Sequence, residues 1–266
     1  SVQGLSIVTA VFGEEMDIFT ARQMLNERLA EVGAELPLGV KTPKMTPLTS
    51  STMDLMKIGL VSEALSPMEL RTFADWTVRP RLQAVPGVAG VNVYGGEVRQ
   101  LQVRIHPDRL AAFDLSIEDV LTATRNATGV RGAGFIETDT QRIVVQTQGQ
   151  SLNDQQLGDT VLAPRGGAGV RLRDVAEVSN GPQPKFGDAL IQGKAGVYIA
   201  LLSQYGANTM EATQAVEEAL DEMAPVFKAQ NVELYRDLFR PASFIESAIH
   251  NMSESLLVGG GLVALV

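Results

Sequence analysis

Met53, Asp54 and Met56 combine side-chain types that suit cation chemistry. Thioether sulfur suits soft cations, and a carboxylate suits harder ones. They open an otherwise apolar segment, Leu55 to Val61, that reads as a β-strand. On a regular strand, Asp54 and Met56 share one face and Met53 takes the other. An acid at the start of an apolar strand needs a partner or a wet cleft. The competing interpretation is that the methionines fill a core, as methionine commonly does, and that Asp54 is solvated at the strand edge.

Other chemistry is largely excluded. Gly187 to Lys194 has the outline of a phosphate loop, but it carries one spacer residue too many, and Ala195 stands where Ser or Thr is required. Gly166 to Gly169 lacks the long helix that follows a dinucleotide-binding turn, and it reads as a hairpin turn. The two histidines, His106 and His250, have no partner at ligand spacing, so no zinc site is legible. Nothing orders Ser, His and Asp into a triad. The chain has no cysteine, which removes thiolate ligands, disulfides and cysteine nucleophiles together. No enzyme activity and no cofactor is expected. With 22 Lys and Arg against 31 Asp and Glu, the net charge is −9, and no basic cluster stands out. Nucleic acid is therefore a poor partner.

The elements that must hold these residues form two similar halves around a different middle. The first half runs from a strand, Gly4 to Phe12, to a helix, Glu15 to Gly33, with an apolar stripe at Ile18, Ala21, Leu25, Leu29 and Val32. A proline-rich connector, Leu36 to Pro47, leads to the strand Leu55 to Val61. Ser66-Pro-Met-Glu69 then carries the signature of a capping box and starts a helix to about Leu82. Pro86-Gly87 turns the chain into the strand Val88 to Tyr94. From roughly Gly95 to Gly181 the elements are shorter and more polar. This insert includes a half-buried strand through Leu101, Val103 and Ile105 and short helices from Pro107 and Ser116. Further strands are expected at Arg142 to Thr147 and Val170 to Val178, with one helical turn opened by Ser151-Leu-Asn-Asp154. Long elements return with the strand Val197 to Leu202, a helix capped at Asn208, a short strand Val232 to Tyr235 and a final helix from Pro241. The fold class is α+β, with two strand–helix–strand halves and an inserted smaller subdomain.

Leu256 to Val266 reads LLVGGGLVALV, without a charged or polar side chain. It is shorter than the roughly 20 residues of a spanning helix. It is expected to be the start of a bilayer helix, the rivals being a buried core helix and a docking tail. Ser1 is followed by no signal segment, so an N-terminal part is expected to be missing, or the chain to be an excised fragment.

Several segments together resemble the resistance-nodulation-division (RND) efflux permeases. They are Gly4 to Phe12, Asp17 to Leu29, Pro47-Leu-Thr-Ser-Ser-Thr52, Leu70 to Trp76, Val78-Arg-Pro-Arg-Leu82 and, most specifically, Val85-Pro-Gly-Val-Ala-Gly-Val-Asn-Val-Tyr-Gly-Gly96. The wording is nearest to the heavy-metal efflux branch, of the CusA/CzcA type, and the resemblance spans essentially the whole chain. It implies ferredoxin-like βαβ porter subdomains: 1–49 a first one lacking its opening elements, and 50–94 with 182–238 a second, discontinuous one. It implies that 95–181 is a docking subdomain and that 239–266 starts the second transmembrane helix.

The resemblance also implies a periplasmic region of a bacterial inner-membrane pump. Its partners would be two further copies in a homotrimer, a periplasmic adaptor (membrane fusion) protein, an outer-membrane channel and the membrane itself through the C-terminal helix. Metal cations would be the substrate and protons the driving force. Substrate would pass Asp54, Met56, Asn92 and Tyr94, with Asn92 and Tyr94 on one strand face. Multidrug members tend to carry an aromatic residue at the position of Asp54, so an acid there favours a cation. Asp54 is expected to face an open cleft near Asn92 and Tyr94 without pairing with a lysine or arginine. Gly129 to Asp139 is expected to project as an inter-protomer arm bearing Phe135 and Ile136. The alternatives are a multidrug or solvent permease of the same family and a non-transporting α/β assembly or binding module with an apolar tail.

Overall fold

The structure is a computed structural model that describes residues 6–32, 35–36, 40, 42–128, 132–137, 142–146, 153–163, 169–185 and 187–265. Two compact units divide the chain, Ser1–Leu48 and Thr49–Val266.

The first unit contains one helix among its described residues, α1 (Ile18–Val32). Asp17 starts it by accepting the Thr20 backbone N–H at 2.9 Å, and this bond draws the Asp17 carboxyl below the usual carboxylate range. The strand expected before it is not formed by the described residues. Residues 6–12 form no ladder, and Ile7, Val8 and Val11 are exposed. Apolar β-branched composition does not make a strand where no second strand takes up the backbone hydrogen bonds.

The second unit follows in chain order as β1 (Thr49–Ser62), α2 (Pro67–Phe73), a π-helical turn Ala74–Val78, α3 (Arg79–Gln83), β2 (Val88–Gly95), β3 (Arg99–Ile105), α4 (Pro107–Ala112) and α5 (Ile117–Thr128). Next come β4 (Gly132–Glu137), β5 (Arg142–Gln146), α6 (Asp154–Gly158), β6 (Val161–Ala163), β7 (Val170–Arg171), α7 (Leu172–Val175) and β8 (Ala176–Pro182). The last elements are β9 (Ala189–Ile191), β10 (Lys194–Gln204), α8 (Thr209–Glu222), α9 (Ala224–Ala229), β11 (Val232–Phe239) and α10 (Ala242–Leu265). The α+β class expected from the sequence is observed.

The main sheet has the strand order β11-β1-β10-β2 and is antiparallel throughout, with β9 paired to β10 as a hairpin. One crossover helix segment lies between β1 and β2 and another between β10 and β11. That is the order of a split βαβ fold. The helices bury one sheet face. Leu70, Ala74, Val78 and Leu82 of the first helical segment and Ala212, Val216, Ala219 and Leu220 of α8 pack on Met56, Ile58, Leu60, Val197, Ile199 and Leu201. The Ser66 cap forms as its spacing predicts, with Ser66 Oγ accepting the Glu69 N–H and the Glu69 carboxylate accepting the Ser66 N–H.

Between β2 and β10 the chain leaves the main sheet. β3 pairs with β8, β4 with β5 and β6 with β7 in three separate two-stranded sheets. Val91, Val103 and Val145 therefore lie in three different sheets. A second core of Leu110, Val120, Leu157, Leu172 and Val175 holds this insert. The expected single strand over Val170 to Val178 is broken by the turn of α7, because Asp174 accepts the Arg171 N–H and pulls the backbone into a helical turn. Ser151 and residues 166–168 of the expected glycine turn lie outside the described residues.

The two crossings into the insert are bound together. Gly95 and Gly96 take φ of 78° and 65°. Arg71 Nη1 donates to the Gly95 carbonyl at 2.7 Å. Lys185 on the return crossing lies 3.4 Å from Glu97 and 3.0 Å from Asp188.

No helix among the described residues is long and apolar enough to cross a membrane. α10 runs for 24 residues and leaves Phe244, Ile249, Met252, Leu256 and Leu257 exposed. Its first turns are clamped to α8 by Arg240. The guanidinium donates from Nε to Glu217 at 2.7 Å and from Nη1 and Nη2 to Glu246 at 2.8 and 2.9 Å. Arg240→Met should cost about 2 kcal/mol, because it leaves two carboxylates facing each other without their shared cation. A fall of several degrees in melting temperature would show it, and an unchanged melt would refute it.

Candidate functional site

The sheet face turned away from the helices carries the candidate residues. Ladder partners share a face, so register assigns the rows across it. Lys57 is opposite Ala200, which is opposite Asn92. Gly59 is opposite Tyr198, which is opposite Tyr94. Asp54 is opposite Leu202, and Phe239 of β11 is opposite Lys57. Asn92 and Tyr94 are exposed, Tyr94 by 52%. Asn92 and Tyr94 share one face, as the strand periodicity predicts, and the register places Asp54 on that face as well. The Tyr94 and Tyr198 rings pack with centroids 5.8 Å apart. At the other end of this face Ile191 covers Gly59, where a Cβ would meet it at 2.7 Å.

Met56 does not belong to this face. It is fully buried in the helix-side core with Leu55, Ile58 and Leu60. The cause is a β-bulge: two residues of β1, from Asp54 to Met56, span one step of β10, from Leu202 to Leu201. A bulge adds an unpaired residue and re-aims the side chains beyond it. Leu55 and Met56 both turn inward, and the shared face expected for Asp54 and Met56 is lost. Met53 is described for its backbone only.

The same bulge overturns the expectation of an unpaired Asp54. In a regular strand, residues three apart face opposite ways. Across the bulge Asp54 and Lys57 face the same way, and Lys57 Nζ lies 2.8 Å from Asp54 Oδ2. The hydrogen bond that the ammonium donates to Asp54 raises the Lys57 pKa above its ordinary value, with Tyr198 contributing in the same direction. The ammonium also sits 4.7 Å from the centroid of the Phe239 ring. Lys57, Tyr198 and Phe239 are site residues that the sequence did not disclose. The signal available was a lone lysine inside an apolar strand.

Among the described residues no group of three or more His, Cys, Asp or Glu could hold a metal ion. A concavity of about 1060 Å³ lies between the first helical segment and β3, lined by Trp76, Arg71, Asp75, Arg79, Arg99 and Asn180. Trp76 is 81% exposed beside it. Asp75 accepts a hydrogen bond from Arg71 Nε at 2.7 Å, and Arg99 Nε donates to Asn180 at 3.1 Å.

The stretch expected to form the arm contains β4 among its described residues. β4 and β5 form a hairpin with Phe135 opposite Val144 and Ile136 opposite Ile143. The side chains of Phe135 and Ile136 lie outside the described residues.

Known proteins match both the sequence and the fold. The family described as AcrB/AcrD/AcrF matches residues 1–266. Protein HelA of Legionella pneumophila is 32% identical over 99% of this chain and 25% of its own length. The cobalt-zinc-cadmium resistance protein CzcA of Cupriavidus metallidurans is 29% identical over 99% of this chain and 25% of its own length. The cation efflux system protein CusA of Escherichia coli K12 is 32% identical, with the same coverage of 99% and 25%. The chain thus spans about a quarter of the length of these curated relatives. A crystal structure of a heavy metal efflux pump shares the fold, with a TM-score of 0.78 and 24% identity over 96% of this chain and 25% of that one.

Proposed function

Because the chain belongs to the AcrB/AcrD/AcrF family of RND efflux permeases, which are transporters and not enzymes, we propose that it forms the periplasmic porter and docking region of an inner-membrane pump that exports heavy-metal cations. In this interpretation, residues 1–49 belong to a first porter subdomain. Residues 50–94 and 182–238 make the second, 95–181 the docking subdomain, and 239–266 lead into the bilayer. The working unit is a proton-driven homotrimer with a periplasmic adaptor and an outer-membrane channel, and the β4–β5 hairpin is its arm toward a neighbouring protomer. The relatives named for cobalt, zinc and cadmium resistance and for cation efflux support the substrate class.

The observation that carries the proposal is the open sheet face. One face of the main sheet is sealed by helices, while the other carries Asp54, Asn92 and Tyr94, partly exposed and in separate rows of the ladder. A carboxylate, an amide and a phenol are too few ligands for tight binding. Weak, exchanging coordination is what a transport path needs, with other ligands coming from the rest of the pump. Asp54→Ala in the full-length pump should lower resistance to the exported metal without lowering expression. Unchanged resistance to zinc, cobalt, cadmium, copper and silver would sink the metal reading.

A second reading draws on the neighbours of Asp54. Lys57 neutralises it, and Tyr94, Tyr198 and Phe239 give the face an aromatic lining. Such a surface suits an amphiphilic organic substrate. Loss of dye efflux in the Asp54→Ala pump, with metal resistance intact, would favour the multidrug permease.

A further inference from the structure

We infer that Lys57 is a tethered competitor for the cation position at Asp54, and that an arriving divalent cation displaces it onto the ring of Phe239 and the hydroxyl of Tyr198. This rests on the proposal that the open face is a cation path. Three observations carry it. The β-bulge puts Asp54 and Lys57 on one face, where the ammonium occupies a carboxylate oxygen at 2.8 Å. Both side chains remain partly exposed, at 35% for Asp54 and 26% for Lys57, so water and ions can reach the pair. From that same position the ammonium also stands 4.7 Å from the Phe239 centroid and beside Tyr198, so both groups stay within its reach when it leaves Asp54.

The chemistry is an exchange of counter-ions. A divalent ion on the Asp54 carboxylate would face the Lys57 ammonium at close range, and the two like charges repel. The ammonium must therefore move when the ion arrives. A partly exposed ion pair is held only weakly, so the move is easy. An aromatic face and a phenol oxygen keep the displaced ammonium within reach, ready to return when the ion leaves. The pair thereby discriminates by charge density. A monovalent ion gains little over the tethered ammonium, whereas a divalent ion binds a carboxylate oxygen more strongly. It also expels the ion again, since the returning ammonium competes for the same oxygen.

The test uses the purified chain with ¹⁵N labelling and Mn²⁺ as a paramagnetic probe, reading amide line broadening at Asp54, Lys57 and Asn92. Lys57→Met and Lys57→Gln should each lower the Mn²⁺ midpoint by roughly tenfold, the size of the repulsion removed between a single and a double charge about 5 Å apart in water. Phe239→Leu should raise the midpoint, because the displaced ammonium loses its station. Unchanged midpoints in both Lys57 variants would overturn the competitor role. In that case, loss of the broadening in Asp54→Asn would still leave the cation path standing. Broadening that survives Asp54→Asn would instead overturn the cation path itself, and the competitor role with it. Coincident thermal melts for the Lys57 variants and the parent chain check that the fold is unaltered.

Discussion

Met56→Ala is expected to destabilise the chain by about 2–5 kcal/mol, and Met56→Leu by less than about 1.5 kcal/mol. Met56 has no exposed surface and packs between β1 and the helix layer with Leu55, Ile58 and Leu60. Truncation to alanine removes most of a buried side chain and leaves a cavity that the surrounding helices can close only in part. Leucine keeps the volume and the apolar character, so the core refills. The contrast separates two roles that the sequence left open. A core methionine tolerates leucine, whereas a thioether ligand does not, because leucine has no lone pair to offer a cation. The check is urea unfolding of both variants, read as a shift in midpoint at constant slope. Metal resistance of a full-length Met56→Leu pump is the companion measurement. A stable Met56→Leu protein with lost resistance would reject the core assignment.

Gly95→Val should cost roughly 2–5 kcal/mol, from left-handed backbone strain and overpacking together. Gly95 has φ of 78°, which an L side chain rarely adopts. A Cβ there would stand 2.5 Å from the Ala189 Cβ and 2.8 Å from the Gly196 carbonyl oxygen. Neither neighbour is the end of a flexible side chain, so the clash cannot relax by a rotamer change. The site is also where Arg71 binds the Gly95 carbonyl and where the chain turns from β2 toward the insert. Thermal unfolding should fall by several degrees or more. A melt within a degree of the parent would mean that the joint is not held as described.

The elements most legible in the sequence were those whose signals are local. Ser66-Pro-Met-Glu69 and Asn208 fix helix starts through bonds made within a few residues, and both caps form. The β-strand at Leu101, Val103 and Ile105 follows from alternation alone. What escaped was non-local. The segment before α1 has strand composition but no ladder partner among the described residues. The bulge at Leu55 is set by how β1 registers against β10, about 145 residues away, and no pattern within β1 announces it. That single slip moved Met56 into the core and brought Lys57 to Asp54. Asn92 and Tyr94 share a face as expected because β2 stays regular where they sit.

The insert has a consequence for how the chain folds. Gly95 at the end of β2 is the ladder partner of Val197 in β10, yet roughly a hundred residues separate them along the chain. Thermodynamically this detour is cheap, since each doubling of a closed loop adds only about 0.6 kcal/mol. Kinetically it is not, because contacts between distant residues slow the search for the native topology. The halves of the main sheet must wait for each other across the insert. Until β10 and β11 arrive, β1 and β2 have no partner in the final order, since β10 lies between them and β11 flanks β1. During that interval two apolar strands stand with open edges, and open edges recruit other chains. The interval is shortest if β3 and β8 pair first, because their antiparallel zipper brings the end of β2 and the start of the return crossing to the same place. Early closure of the small sheet would thereby shorten the time for which the edges of the large one stand open.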